Sequence, residues 1–553
     1  MRARPYALAA LTGLIGLASA PALASGVVDN VNGIALDANG KIVRFGAMLI
    51  DDEGKVAQLF PGRYQEPPRK KPKKGQSWPK GHDFKLDAGG KTLMPGLIDG
   101  HGQIMGLGLS FITLDLSDTR SLAEAQAKIR AYAQENGGRK WIVGRGWDEE
   151  RWGLGRTPTA ADLDAAVSDV PIWLERADAS AGWANSAALR AAGTANAAKG
   201  RAGLFTGEGM EAIRRIVPAP APKDRDIALE KAQRALLAAG ITTVTDMGTT
   251  IDDWQSYRRS ADRGALRVRI IAYAAGLPDM VTIAGPEPTP WLYDDRLRLG
   301  GVRLTLDGSL ASREAWLKAA YADAAGQRGR ALIPDTQLRN MMSRAAMDNF
   351  QIAIEASGDA ANSEALDAIQ ELSETYGGDR RWRIERARAV DPADLPRFGR
   401  FSIVASLQPG EVASDWRVAS ARLGDARAGG AYAWRAMRDN GVPLAFGTNM
   451  PAGNASPFAG IAAAMSREDA QGQPSGGWTP QQRVDFETAL DGFTRAAAYA
   501  GFADKRFGSL IVGQRADFLL LDRDISTARP ADIRATQVLE TWIGGKRVYA
   551  KGQ

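Results

Sequence analysis

The segment LMPGLIDGHGQIMGLG (93–108) is an apolar run that passes into a glycine-rich stretch carrying one histidine, His101. A histidine delivered to a pocket by a strand end is a common first ligand of a metal site. The place two residues on, where a second ligand would complete the pair, holds Gln103, whose neutral amide oxygen replaces imidazole poorly on zinc. Other segments end in polar residues in the same manner. VRLTLDGSL delivers Arg303 and Asp307, QIAIEASGD delivers Glu355 and Asp359, and WRIERARAV delivers Glu385 and Arg386. ITTVTDMG ends near Asp246, FSIVASLQPGE near Gln408 and Glu411, and VPLAFGTNM near Asn449. This set is rich in carboxylates and arginines and contains one histidine. His82, the second of the two histidines in the chain, lies in a basic, proline-rich stretch and reads as a surface residue.

The elements that must position these residues are strands alternating with alanine-rich helices. SLAEAQAKIRAYAQENG reads as a helix before the strand KWIVGRGW, and ALEKAQRALLAAG as a helix before ITTVTDMG. So many β–α units predict a (β/α)8 TIM-like barrel spanning 97–505, with an inserted region at about 120–225. In such a barrel chemistry sits at the C-terminal ends of the strands, where the residues above fall. Short alternating runs broken by Asp-Ala-Asn-Gly, Asp-Glu-Gly and Pro-Gly turns precede the barrel at 26–96, and strand-like runs follow it at 506–553. The two ends together predict a small β-sandwich domain beside the barrel.

The first 25 residues read as a signal peptide: Arg2 and Arg4, an apolar run from Ala7 to Ala18, then Ala22 and Ala24 before Ser25. The run is short for a bilayer span, so no transmembrane anchor is expected, and a periplasmic or secreted protein is. With no cysteine there is neither a disulfide nor a thiolate ligand. The formal net charge of +6 equals the six cations of the segment 67–82 (Arg69, Lys70, Lys71, Lys73, Lys74 and Lys80), so it marks one exposed loop rather than a basic protein face. No aromatic interleaving or motif accompanies it, and no nucleic-acid partner is expected.

Taken in order, these segments resemble the amidohydrolase superfamily, in particular its amidohydrolase family 3 branch. LMPGLIDGHGQ is similar to that family's strand-one signature Pro-Gly-hydrophobic-Ile-Asp-x-His-x-His, and GRGWDEERW, WANSAAL, RIERARAV, FGTNMP and FGSLIVGQRADFLLLD are similar to later blocks. The resemblance implies hydrolysis of C–N bonds by one or two divalent metals, usually zinc, that activate water. It also implies a ligand set that this chain lacks. His101 matches the first histidine, but Gln103 stands for the second, Arg303 for the lysine that is carbamylated, Glu355 and Arg386 for two further histidines, and Glu411 for the last residue of Gln-Pro-x-His. Asn449 stands at the catalytic aspartate, so no intact catalytic residue is expected, and Ser180 and Thr245 stand where substrate-side histidines are typical.

Arginine has no lone pair to donate and keeps its proton, so Arg303 and Arg386 are not ligands and place two fixed charges where a dication would sit. Asn449 cannot act as a general base. Arg303 and Arg386 balance Glu355 and Glu411, which predicts a salt-bridge network in the former metal pocket, with His101 a hydrogen-bonded core residue and Asp99 and Asp307 structural braces. The leading expectation is a metal-free pseudoenzyme with no cofactor, holding at most a small-molecule ligand in the barrel pocket. Two alternatives stay open: an oxygen-rich site in which His101, Glu355 and Glu411 bind one divalent metal (Mn, Mg or Zn), and a metal-free hydrolase with Glu355 and Glu411 as acid and base. Nothing in the sequence sets the oligomeric state.

Overall fold

The computed structural model describes residues 25–66, 82–177, 181–193, 202–206 and 208–553. The segment expected to be a signal peptide (apart from Ser25), almost all of the basic loop and Ser180 therefore lie outside the described residues. Eight parallel strands form the central sheet: β1 (Leu97–Gly102), β2 (Ile241–Thr249), β3 (Arg269–Ala274), β4 (Leu297–Thr305), β5 (Gln351–Ala356), β6 (Arg383–Arg386), β7 (Val404–Leu407) and β8 (Leu444–Phe446). They pair strictly in chain order, each with the next. The segment after β8 completes the ring: Asn449 donates its backbone N–H to His101 O and Gln103 donates to Met450 O, both at 2.9 Å. Gly100 permits this closure, because a Cβ there would lie 2.7 Å from Phe446 O.

Helices cover the outside, so β3 and β5 are buried on both faces and read as continuous apolar runs. Ile352 and Ile354 face the helix layer, whereas Ala353 joins Ile98, Met247, Ile271, Tyr273, Val404 and Ala445 inside the barrel. The period of two therefore sends Gln351, Ala353 and Glu355 to one face, and the last of these reaches the C-terminal rim. The helix Ile104–Ser110 packs so tightly on the helix Pro222–Ala238 that a Cβ on Gly108 would meet Ala228 O at 2.1 Å.

Between β1 and β2 the inserted region builds its own five-stranded sheet: Leu114–Asp115, Ile142–Trp147, Ile172–Arg176, Ala181–Ala184 and Leu204–Thr206. Its core is aromatic, with Trp147 and Trp183 edge to face at 5.7 Å. The GRGWDEERW segment thus contributes its first tryptophan to packing. The two chain ends meet in one eight-stranded sheet, in which Thr92–Pro95 pairs with both Gly26–Leu36 and Phe518–Leu521 and so joins head to tail. Phe84, beside Gly26–Leu36, stacks on Trp542 of the C-terminal part at 5.2 Å, enclosing Val28, Met48, Leu93 and Phe518. Arg269 at the start of β3 anchors the sheet to the barrel through Asp517, at 2.7 and 2.9 Å. Among the described residues no helix is long and apolar enough to cross a membrane.

Candidate functional site

Strand β1 ends in two buried acidic and imidazole groups with different roles. Asp99 accepts the backbone N–H of His101 (3.1 Å) and of Thr448 (2.9 Å) and the Thr448 hydroxyl (2.5 Å), so it ties β1 to the turn after β8. Burial raises its carboxyl above the usual range, against these hydrogen bonds. Gln103 takes the N-cap position of the next helix without a side-chain cap bond. The capping is done by Asp246 at the end of β2, which accepts the Ile104 N–H at 2.9 Å together with the hydroxyls of Thr249 (2.5 Å) and Tyr257 (3.0 Å). Burial lifts Asp246 to about 6.

His101 is 1% exposed and lies with Nδ1 2.7 Å from Glu385 Oε2. Glu385 also accepts Arg383 Nε at 2.7 Å. Full burial acts to raise the Glu385 carboxyl, but the Arg383 charge and the His101 hydrogen bond outweigh it and hold it at about 2. An ionised Glu385 only accepts, so Nδ1 of His101 carries the proton. Arg383 continues the chain inward to Tyr273 Oη (3.2 Å), Ser406 Oγ (3.2 Å) and Gly100 O (2.8 Å), and Tyr273 donates to Gln351. The histidine is thereby the outer end of a polar column along the barrel axis.

The four residues expected to balance one another converge beside it. Arg303 at the end of β4 donates Nε to Glu355 Oε2 at 2.8 Å, and Arg386 at the end of β6 donates Nε to Glu355 Oε1. Burial alone would raise Glu355, yet the two guanidiniums pull it down to about 2. Glu411 is only 3.9 Å from Arg386, and its close partners are Arg388, whose Nη2 donates at 2.6 Å, and Asn449, whose Nδ2 donates at 2.5 Å. Burial again opposes ionisation, and Arg388 and Arg386 hold Glu411 below the ordinary range. Asn449 Oδ1 accepts Arg386 Nη2 at 3.3 Å, which closes the cluster. Arg386, Ala387 and Asn449 have φ of 73°, 38° and 58°, left-handed conformations that cost most residues with a side chain roughly 1–3 kcal/mol each and asparagine least. The left-handed turn at Arg386 accompanies the approach of its side chain to Glu355.

The donor set does not fit a divalent metal. Both oxygens of Glu355 are engaged by guanidiniums and both of Glu411 by Arg388 and Asn449, so His101, whose Nδ1 is bonded to Glu385, offers Nε2 without a carboxylate free to share a metal with it. Among the described residues no group of three or more histidine, aspartate or glutamate side chains could hold a metal ion. A dication at this point would also face Arg303 and Arg386 within Coulomb reach.

Three further expected residues have structural surroundings. Asp307 accepts the backbone N–H groups of Trp316, Ser357 and Gly358, each at 2.8 Å, and burial lifts it to about 6. Thr245 is buried in β2, and its hydroxyl oxygen has no hydrogen-bond partner among the described residues. His82 is half-buried and lies 3.3 Å from the Tyr64 hydroxyl, so it is less exposed than a plain surface position. Sequence reasoning missed Arg388, which also reaches Asp415 at 3.4 Å, and the pairing of His101 with Glu385. The run Arg383-Ile-Glu-Arg-Ala-Arg388 carried a signal, since so many charges on a buried strand require mutual partners.

Comparison with known proteins places this architecture. The model of the amidohydrolase family (Amidohydro_3) matches residues 86–549. The chain is 31% identical over 490 residues to Protein LONG AFTER FAR-RED 3 of Arabidopsis thaliana, covering 83% of this chain and 82% of that one. It is 25% identical over 496 residues to the N-substituted formamide deformylase of Arthrobacter pascens, covering 84% and 90%. A solved structure, an uncharacterised metal-dependent hydrolase from Pyrococcus horikoshii, superposes with a TM-score of 0.77 at 24% identity, over 92% of this chain and 99% of that one. With eight parallel strands in order and a family match over nearly the whole described chain, this protein belongs to the amidohydrolase family.

Proposed function

We propose that this chain is a metal-free member of its family that has lost hydrolytic activity and serves as a small-molecule-binding barrel. The observation that carries this reading is Glu355 held between Arg303 and Arg386 at the strand ends where the family's metal ligands are expected. Two fixed cations neutralise the available carboxylate and repel a dication. Asn449, hydrogen-bonded to both Glu411 and Arg386, has no basic atom with which to activate water.

The metal-free hydrolytic alternative lacks its acid. Glu355 is held at about 2 and Glu411 below the ordinary carboxylate range, so both are ionised at neutral pH and neither has a proton to give. A ligand has room beside the cluster: a cavity of about 430 Å³ is bounded by Glu411, Asp415, Gly447, Thr448 and Phe493. This volume lies within the usual range of small-molecule pockets, roughly 300–1,000 Å³.

The test is metal analysis of the purified full chain before and after zinc or manganese loading, with turnover of N-substituted formamides measured in parallel. Substoichiometric, weakly held metal and no chelator-sensitive turnover are expected. One tightly held metal per chain would overturn the reading.

A further inference from the structure

The opposite end of the barrel carries a second cluster of charge. A cavity of about 1000 Å³ opens where β4 begins, walled by Trp291, Arg298 and Arg381 of the barrel and by Lys55 and Arg515 of the terminal sheet. Among the described residues, six cationic side chains and four carboxylates line it, so the wall carries an excess of positive charge.

These cations differ in how they are compensated. Arg381 pairs with Asp379 at 3.0 Å and with Asp504 at 2.7 Å. Arg506 and Arg515 share Asp295, at 2.5 and 2.9 Å. The Arg298 side chain makes neither a hydrogen bond nor an ion pair among the described residues, and its Nε is buried without an acceptor. Its guanidinium lies 5.6 Å from the Trp291 ring centroid, and Arg506 approaches the same ring at 5.6 Å. Burial weakens the proton affinity of Arg298, and the like charge of Arg506 adds to this. Lys505, exposed on the same wall, has no ion-pair partner among the described residues, and neither has the exposed Glu287.

A half-buried guanidinium beside a like charge, with no anion of its own, is an unfavourable arrangement that a bound anion would relieve. Guanidinium groups suit this because their planar donors match the oxygens of phosphate and carboxylate groups. We propose that this cavity is a binding site for a small molecule bearing an oxyanion, a phosphate or carboxylate group, held by Arg298 and Arg506 beneath Trp291 with Lys505 at the entrance. Arg298 and Arg303 lie on one strand five residues apart, so this site is about 16 Å from the Arg303–Glu355 cluster along β4 and is independent of it.

Titration of the full-length protein at constant ionic strength, by calorimetry and by thermal shift, tests the assignment with inorganic phosphate and with citrate as probes. Saturable binding of at least one probe is expected, with the tighter of the two telling a phosphate site from a carboxylate site. Arg298→Gln and Lys505→Gln are each expected to weaken it about tenfold, the order of one charge-assisted hydrogen bond. Lys91→Gln, an exposed change in the terminal sheet, and Arg303→Gln are expected to leave it unchanged. Absence of saturable binding by both probes would overturn the proposal, as would wild-type affinity in Lys505→Gln and Arg298→Gln. Should Arg298→Gln fold poorly, the exposed Lys505 variant decides.

Discussion

Asn449 donates its side-chain amide to Glu411 at 2.5 Å while accepting Arg386 through its carbonyl oxygen at 3.3 Å. An aspartate at this place could accept from Arg386 but would set a second carboxylate against Glu411. The asparagine is thus the residue type that the present cluster requires, and its φ of 58° suits asparagine better than most other residues.

Restoring the aspartate alone should therefore harm the protein. Asn449→Asp is expected to lose about 1–3 kcal/mol of stability without gaining turnover, because it replaces a donor with a like charge. Urea denaturation at neutral pH measures it, and an unchanged midpoint would contradict the hydrogen-bond assignment.

Glu355 is the centre of charge balance. Glu355→Gln leaves Arg303 and Arg386 facing each other with no anion between them, and a loss of about 3–5 kcal/mol is expected. Arg303→Gln should cost less, because Arg386 continues to compensate Glu355. Chemical denaturation of the two variants side by side checks the order.

A single histidine should not restore metal binding. Gln103→His supplies an imidazole two residues from His101, yet the two arginines remain. Zinc titration is expected to give no stoichiometric tight site in this variant. Gain of one tight zinc from this change alone would show that the arginines do not govern the pocket.

Acid should act on the site with two opposite signs. Glu355 and Glu385 are depressed to about 2, so the stability they contribute is present above their unfolded value near 4.5 and lost as pH falls toward 2. Asp246 and Asp307 are raised to about 6, so their effect is reversed: relative stability is full below 3.8 and is lost as pH rises through 6. Asp307→Asn is expected to flatten the stability profile between pH 4 and pH 6, and Glu385→Gln to flatten it between pH 4.5 and pH 2. Denaturation midpoints across pH measure both slopes.

Export is expected from the first residues of the chain. Expressed in a Gram-negative host, the mature protein should begin near Ser25 and fractionate with the periplasm, as intact-mass measurement and fractionation would reveal. An intact N-terminus in the cytoplasm would contradict it.

The barrel was legible because its signals are local and repeated. A buried strand such as Gln351–Ala356 is apolar up to its polar end, and the helix after it begins at once, whatever lies elsewhere in the chain. The same locality placed Arg303, Glu355 and Arg386 at strand ends, Asn449 just beyond β8 and Glu411 in the first turn of the helix after β7, and chemistry alone excluded the two arginines as ligands. What the sequence could not assign was pairing. Glu411 takes Arg388 rather than Arg386 as its close partner because the backbone after β6 turns left-handed at Arg386 and Ala387, sending neighbouring arginines to different carboxylates. His101 meets Glu385 across 284 positions of chain, a contact set by closing the ring. Composition and period fix which residues reach a rim. Only the closed barrel decides which of them touch, since ion pairs form between strands whose separation in sequence carries no record of their distance in space.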